Sequence, residues 1–330
     1  MLIKKMIISN ELKNHFEQLG YQCNHPHNIV NNNGTVFISA GIQPLLADYR
    51  KGLIKPNNKI YISQPVLRTQ FVDTVSEGFS IAFINLTTAS FNNTEQQHNE
   101  LVGDWLDLFY ELGLEKNKIS TMQKSYERQW GDLLVKGKTT FYYYDNVELG
   151  DTTFFNNITR NGEHLDLDTM SDVGFGLERI RWVSTKKPFF DLYSNSESLN
   201  PDVKALLSAL ALLAVNNVKP SNKNSGYRAR LFSKKLVNVM SGVNLSETEI
   251  QYLNECLRYW TDWQEKADTT DINLIMNEYV RNCNRFILDR LIEKGYDNIS
   301  KIDINLPQVE FKKRLKNANV NLSDVEQFKL

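Results

Sequence analysis

At 330 residues, 41% hydrophobic and 23% charged, the chain can bury a core as one large domain or two ordinary ones, which excludes a fibrous or wholly disordered protein. A net charge of −1 excludes a globally basic nucleic-acid binder, so any such surface has to be a local patch. No segment approaches the ~18 apolar residues of a membrane span, and the apolar run beside Lys4 and Lys5 is too short for a signal peptide. Cys23, Cys256 and Cys283 lie far apart without metal-ligand spacing, which points to a reducing, cytoplasmic compartment.

Leu12, Phe16 and Leu19 predict a helix over residues 9–20, stopped at Gly20. His25-Pro26-His27 and Asn31-Asn32-Asn33-Gly34 read as loop and turn. With no Asp or Glu close in sequence, the two histidines read as loop residues rather than metal ligands. Residues 35–39 form a short β-prone run ending in Ala40-Gly41, and residues 42–49 look helical. Residues 59–67 are a strand whose Pro65 argues for an edge or an end. Arg68 closes it. Residues 69–78 contain Asp73 and Glu77 and no basic residue, and residues 79–91 resume a β-rich pattern. The unit reads as an antiparallel hairpin with a long connection and an arginine at its first exit.

Over residues 95–112, Leu101, Trp105, Leu108, Phe109 and Leu112 share one helical stripe, the pattern of a core face. Strands are expected over 139–144 and 147–155, around a turn at Asp145-Asn146. The consecutive Tyr142, Tyr143 and Tyr144 must divide between core and groove or solvent. Leu165 and Leu167 alternate with charged residues over 163–168, predicting another strand. Gly174 and Gly176 follow, and Leu177, Ile180 and Arg181 open a helix. These glycines would let backbone approach a ligand closely. Arg179 offers a planar cation suited to phosphate, and Asp172 a carboxylate on the same edge. A plain strand-to-helix turn with solvated charges explains the same residues, and a short glycine motif does not decide between the two.

Beyond Pro188 the pattern is helical: residues 202–218, then 227–239, 248–266 and 272–294, with a breaker at Lys219-Pro220-Ser221-Asn222. Lys234-Lys235 and Lys312-Lys313-Arg314 read as solvated helix faces. A boundary is expected near 195–200, dividing a mixed, mainly antiparallel β domain (1–198) from a helical one (199–330).

Asp172-Val173-Gly174-Phe175-Gly176-Leu177-Glu178-Arg179 is similar to motif 3 of the alanyl-tRNA synthetase family, Asp-Thr-Gly-Met-Gly-Leu-Glu-Arg. Ser63-Gln64-Pro65-Val66-Leu67-Arg68 resembles that family's motif 2 start, Ser/Thr-Gln-x-x-x-Arg. Phe83-Ile84-Asn85-Leu86-Thr87-Thr88-Ala89-Ser90-Phe91 falls on its Phe-Glu-Met-Leu-Gly-x-x-Ser-Phe strand, and the run ending in Ala40-Gly41-Ile42 on its Asn-Ala-Gly-Met segment. Val218-Lys219-Pro220-Ser221-Asn222-Lys223-Asn224-Ser225-Gly226-Tyr227-Arg228 resembles the family's Val-x-Pro-Ser-Asn-x-x-Arg-Gly-Tyr-Val, which lies in a helical tRNA-recognition region. No stretch corresponds to the editing domain, with its His-x-x-x-His site, or to the C-terminal oligomerisation domain.

The resemblance implies an α+β fold: a class II synthetase-like antiparallel β-sheet flanked by helices, followed by an all-α domain. It implies a ligase that activates a small amino acid with ATP and Mg²⁺ to an aminoacyl-adenylate. The acyl group would then pass to tRNA, a carrier protein or a small amine. Arg68 would hold the α-phosphate and the amino-acid carboxylate; Arg179 would cover the adenine or grip the outer phosphates. Phe83 would stack on adenine beside Gly176, and Asp172 would pair with the α-ammonium, with Gly174, Asn85 and Asp151 lining the amino-acid pocket. No protein metal ligands are implied. The chain departs from the family where Ile84 replaces the motif 2 glutamate, Asn85 a methionine of the alanine pocket, Asp151 an asparagine and Ser225 an arginine. The connection 69–78 is short and lacks the family's basic and histidine residues, and fewer cations mean weaker binding to RNA. These departures leave open a non-catalytic synthetase paralogue acting as a ligand-binding or regulatory module.

Overall fold

A computed structural model describes residues 9–30, 35–73, 80–160, 162–164, 167–186, 199–264, 272–326 and 328. Contacts divide the chain into two units: Met1–Leu67, Phe83–Leu192 and Trp263–Lys266, and then Arg68–Ala82, Tyr193–Asp262 and Ala267–Leu330. Residues 187–198, where the boundary was expected to begin, lie outside the described residues.

The first unit is built on one sheet. Its strands are β1 (Gln22–Asn24), β2 (Ile60–Leu67), β3 (Ala82–Phe91), β4 (Ile119–Trp130), β5 (Leu133–Tyr144), β6 (Val147–Arg160), β7 (Glu163–His164) and β8 (Met170–Gly176). They lie in the order β1-β2-β3-β8-β6-β5-β4, with β7 beside β6. β1 runs parallel to β2, and the pairs β3–β8, β8–β6, β6–β5 and β5–β4 are antiparallel. Helices α1 (Ser9–Gln18), α2 (Ile42–Arg50), α3 (Glu95–Glu111) and α4 (Leu177–Thr185) accompany it. The fold is α+β, as expected.

Helix α3 starts on a capping box, in which Thr94 accepts from the Gln97 backbone while the Gln97 side chain returns to the Thr94 N–H. Its stripe buries Trp105 and Phe109 against Phe175, with ring centroids 5.0 and 4.8 Å away. Burial of each such side chain contributes about 1.5–3 kcal/mol. Helix α2 covers the opposite face, where Ile42, Leu45 and Leu46 share a core with Ala89, Phe91, Phe155 and Met170. The sheet is therefore sandwiched, and only part of the α2 side stays open.

Several expectations need correction. Of the strand expected over 163–168, Glu163–His164 form β7, residues 167–168 are not in a strand and residues 165–166 lie outside the described residues; the next strand is β8, which carries both glycines and runs straight into α4. β8 lacks the polar–apolar alternation that marked 163–168, because its fully buried side includes Ser171 and its other side carries two glycines. Residues 35–39 make one bridge, Val30 to Phe37, rather than a strand. Pro65 lies inside β2, but on a stretch whose β1 side has no strand beside it, a local edge as expected. Leu67 N–H bonds Ile38, so the odd-numbered groups of β2 face the β1 side, and β1 pairs only as far as Ile62. Pro65 thus lacks a donor where no ladder needs one. β4 and the first half of β5 were not expected: β4 is an exposed edge of long polar side chains with no apolar face to read. Leu19, expected on the core stripe, is 42% exposed beyond the end of α1. The tyrosines divide as foreseen, with Tyr142 and Tyr144 buried and Tyr143 half-buried.

In the second unit the helices are α5 (Pro201–Val215), α6 (Asn224–Val239), α7 (Glu247–Trp263, whose last residue groups with the first unit), α8 (Asn273–Glu293), α9 (Gln308–Asn317) and α10 (Leu322–Glu326). α5 ends three residues before the expected 218, because Asn217 takes φ 55°. The breaker 219–222 has a packing role: a Cβ on Gly226 would stand 2.4 Å from the Lys219 carbonyl oxygen and 2.3 Å from Ser221 Oγ. Only glycine lets the start of α6 rest on that segment. α9 was not expected; it buries Phe311 and Leu315 and leaves Lys313 and Arg314 solvated, with Arg314 3.0 Å from Glu310. Among the described residues no helix is long and apolar enough to cross a membrane.

Candidate active site

Register decides which side chains share the open face. Across β3–β8, Asn85 stands opposite Gly176, Thr87 opposite Gly174 and Ala89 opposite Asp172; across β8–β6, Asp151 stands opposite Gly174 and Thr153 opposite Asp172. Directly opposed residues point to one side of a sheet. Asp172 and Asp151 are therefore diagonal neighbours on the side away from Phe175, and Phe83, two residues before Asn85, belongs to the same side. Asp172 Oδ1 is out of contact with solvent. Gly174 carries only hydrogen between them; a Cβ there would sit 3.3 Å from Asn85 Nδ2 and 3.8 Å from Asp172 Oδ1, filling the floor of the face.

Asn85 is only 6% exposed. Its Oδ1 accepts from the Gly41 N–H at 2.7 Å and from Thr87 Oγ1 at 3.0 Å, and its Nδ2 donates to the Phe175 carbonyl at 3.5 Å. This amide joins the Ala40-Gly41 turn to β3 and β8. A methionine could make none of those bonds, which gives the departure at this position a structural reason.

At the far end of the face, α4 begins directly after β8. Arg179 Nη1 donates to the Glu148 carbonyl at 2.7 Å and lies 3.3 Å from Glu148 Oε1. Burial pushes the guanidinium below its ordinary range, while Glu148, Tyr143 and Asp151 pull it back up. Its aliphatic stem passes 3.5–3.7 Å from where a Gly176 Cβ would be. Glu178 turns inward rather than toward solvent. It is 1% exposed and gives both carboxylate oxygens to the Ile84 N–H. The plain-turn reading with solvated charges thus fails at Glu178.

Sequence reasoning missed Tyr126, Glu148 and the Gly41 N–H. Burial raises the Tyr126 phenol above its ordinary range, the Trp130 hydrogen bond and Arg128 lower it in part, and Asp172 and Asp151 raise it by less. Tyr126 sits on β4, whose polar sequence gave no signal; Glu148 could have been found as the carboxylate two residues beyond the Asp145-Asn146 turn. The structure gathers Phe83, Asn85, Asp151, Asp172, Gly174, Gly176 and Arg179 in the first unit. Arg68 groups with the second, its N–H bonded to the Ile81 carbonyl at 2.8 Å. His27, read as a loop residue, lies 3.0 Å from Asp48.

No protein-family model matches the chain, and no curated protein matches it. Among solved structures it is similar to a pyrrolysyl tRNA synthetase of Desulfitobacterium hafniense, at 14% identity over 58% of this chain and 71% of that one, with a TM-score of 0.40.

Proposed function

We propose that the chain is an alanyl-tRNA-synthetase-like ligase of the class II type, which condenses a small amino acid with ATP to an aminoacyl-adenylate and passes the acyl group on. The observation that carries this reading is the single face on which Asp172 and Asp151 stand beside the open floor at Gly174, with Arg179 at the β8–α4 junction. In activation, the amino-acid carboxylate attacks the α-phosphorus and pyrophosphate leaves. Such a reaction needs positioning and charge stabilisation, not a protein nucleophile.

Asp172 takes the α-ammonium, and the Gly174 floor admits the amino acid between it and Asn85. Arg179 exchanges Glu148 for the nucleotide, a charge-assisted contact to phosphate or a plane over adenine. Phe83 lies against the base; Arg68, which groups with the second unit, is assigned to the α-phosphate and the carboxylate by the resemblance alone. Mg²⁺ would supply charge neutralisation for the leaving pyrophosphate; among the described residues no three His, Cys, Asp or Glu converge to hold a metal by themselves. The acceptor is tRNA, a carrier protein or a small amine. A motif 2 connection with Asp73, Glu77 and no cation favours the smaller acceptors.

A non-catalytic paralogue is the competing reading, favoured by Ile84 at the motif 2 glutamate and by Arg179 resting on Glu148. ATP–pyrophosphate exchange, surveyed over the amino acids, separates the two. Exchange with one or a few small amino acids is expected; no exchange and no ATP binding would leave the ligand-binding module.

A further inference from the structure

Between α2 and the β4–β5 turn, within the first unit, lies a cleft of about 850 Å³, a size suited to a small ligand. Arg50, Lys51 and Arg128 line it, against one lining carboxylate, Asp132. Asp132 is already committed: Arg160 Nε stands 2.6 Å from its Oδ2, while Arg50 reaches Oδ1 at only 3.8 Å. Lys51 is likewise 3.8 Å from Asp48, whose other oxygen is held by His27 at 3.0 Å. Arg50 and Arg160 thus share Asp132, Lys51 shares Asp48 with His27, and Arg128 lies over the Tyr126 ring, so among the described lining residues three cations face one carboxylate. Burial pushes the Arg50 guanidinium below its ordinary range; Asp132 raises it in part, and Arg160 lowers it by less.

The rest of the wall suits an organic group. Trp130 is fixed by its Nε1 donating to Tyr126 Oη at 3.1 Å and by an edge contact with Phe155 at 5.2 Å. Arg128 is steadied 6.0 Å from the centre of the Tyr126 ring. Ser39 and Gln43 add polar groups on the α2 side.

We propose that this cleft binds a phosphate-bearing small ligand, its phosphate taken by Arg50, Lys51 and Arg128 and its organic part resting on Trp130. None of Phe83, Asn85, Asp151, Asp172 or Arg179 lines the cleft, although Tyr126, which holds its Trp130, also belongs to the α2 side of the sheet; the proposal does not depend on the activation reading.

The test is titration calorimetry of the whole chain with inorganic tripolyphosphate and, separately, citrate, at physiological salt. Tripolyphosphate binding is expected to survive Arg179→Ala and to weaken about a hundredfold in the Arg50→Gln/Arg128→Gln double variant. Lys51→Gln, at an exposed side chain that folding does not need, should weaken it about fivefold and keeps the test decisive if the double variant fails to fold. Undiminished binding in Lys51→Gln or the double variant, or loss of binding in Arg179→Ala, overturns the site. Citrate binding as tight as tripolyphosphate overturns its phosphate chemistry.

Discussion

The Glu178 carboxylate accepts the Ile84 N–H with both oxygens, at 3.1 and 3.0 Å, and so fastens the first turn of α4 to the strand that carries Phe83 and Asn85. An acid in a first turn is also favoured by the helix dipole. Glu178→Ala strands a buried donor, which costs about 1–3 kcal/mol. Urea unfolding should show that loss. A variant within ~0.5 kcal/mol of wild type would mean the bond contributes nothing.

Asn85→Ala removes the acceptor for Gly41 and Thr87 together. A stability loss of about 1–3 kcal/mol is expected. In exchange assays the variant should raise the KM for the amino acid more than it lowers kcat, because the floor at Gly174 loses its wall. An unchanged KM would show that Asn85 serves the fold alone.

His98, behind the sheet, is pushed down to about 4 by burial, with Nδ1 3.0 Å from Ser171 Oγ. Between the ordinary imidazole range and pH 4 the unfolded chain binds this proton and the folded chain does not. Stability therefore falls as pH drops through that window and levels off below it, by roughly 2–3 kcal/mol from this group. Carboxylates titrate in the same range, so the informative quantity is the difference between wild type and His98→Gln. Parallel stability–pH curves would refute a neutral buried His98.

Gly226→Ala should force the start of α6 off the 219–221 segment, since the new methyl would meet the Lys219 carbonyl oxygen at 2.4 Å. About 1–3 kcal/mol of destabilisation follows, measurable by thermal unfolding. No change in stability would mean the segment yields freely.

Helices such as α3 were legible because their apolar stripes follow a single period, as in Leu101, Trp105, Leu108 and Phe109. β8 was displaced in the reading because its buried side, Ser171, Val173 and Phe175, includes a polar residue while the other side carries Asp172 and two glycines. β4 was silent for a different reason, exposure along nearly its whole length. Of the site, Asp172, Gly174 and Arg179 were visible as chemistry within one short motif. Tyr126 and Glu148 reach it only through strand pairing, which no local pattern announces.

ATP–pyrophosphate exchange with wild type, Arg179→Ala and Asp172→Asn tests the central claim most directly. Arg68→Ala belongs in the same series and should also abolish exchange. The account predicts exchange with a small amino acid in wild type, none in Arg179→Ala, and a raised amino-acid KM with kcat largely kept in Asp172→Asn. Unaltered kinetics in Asp172→Asn would contradict the placement of the ammonium, and absence of both exchange and ATP binding in wild type would contradict the ligase itself.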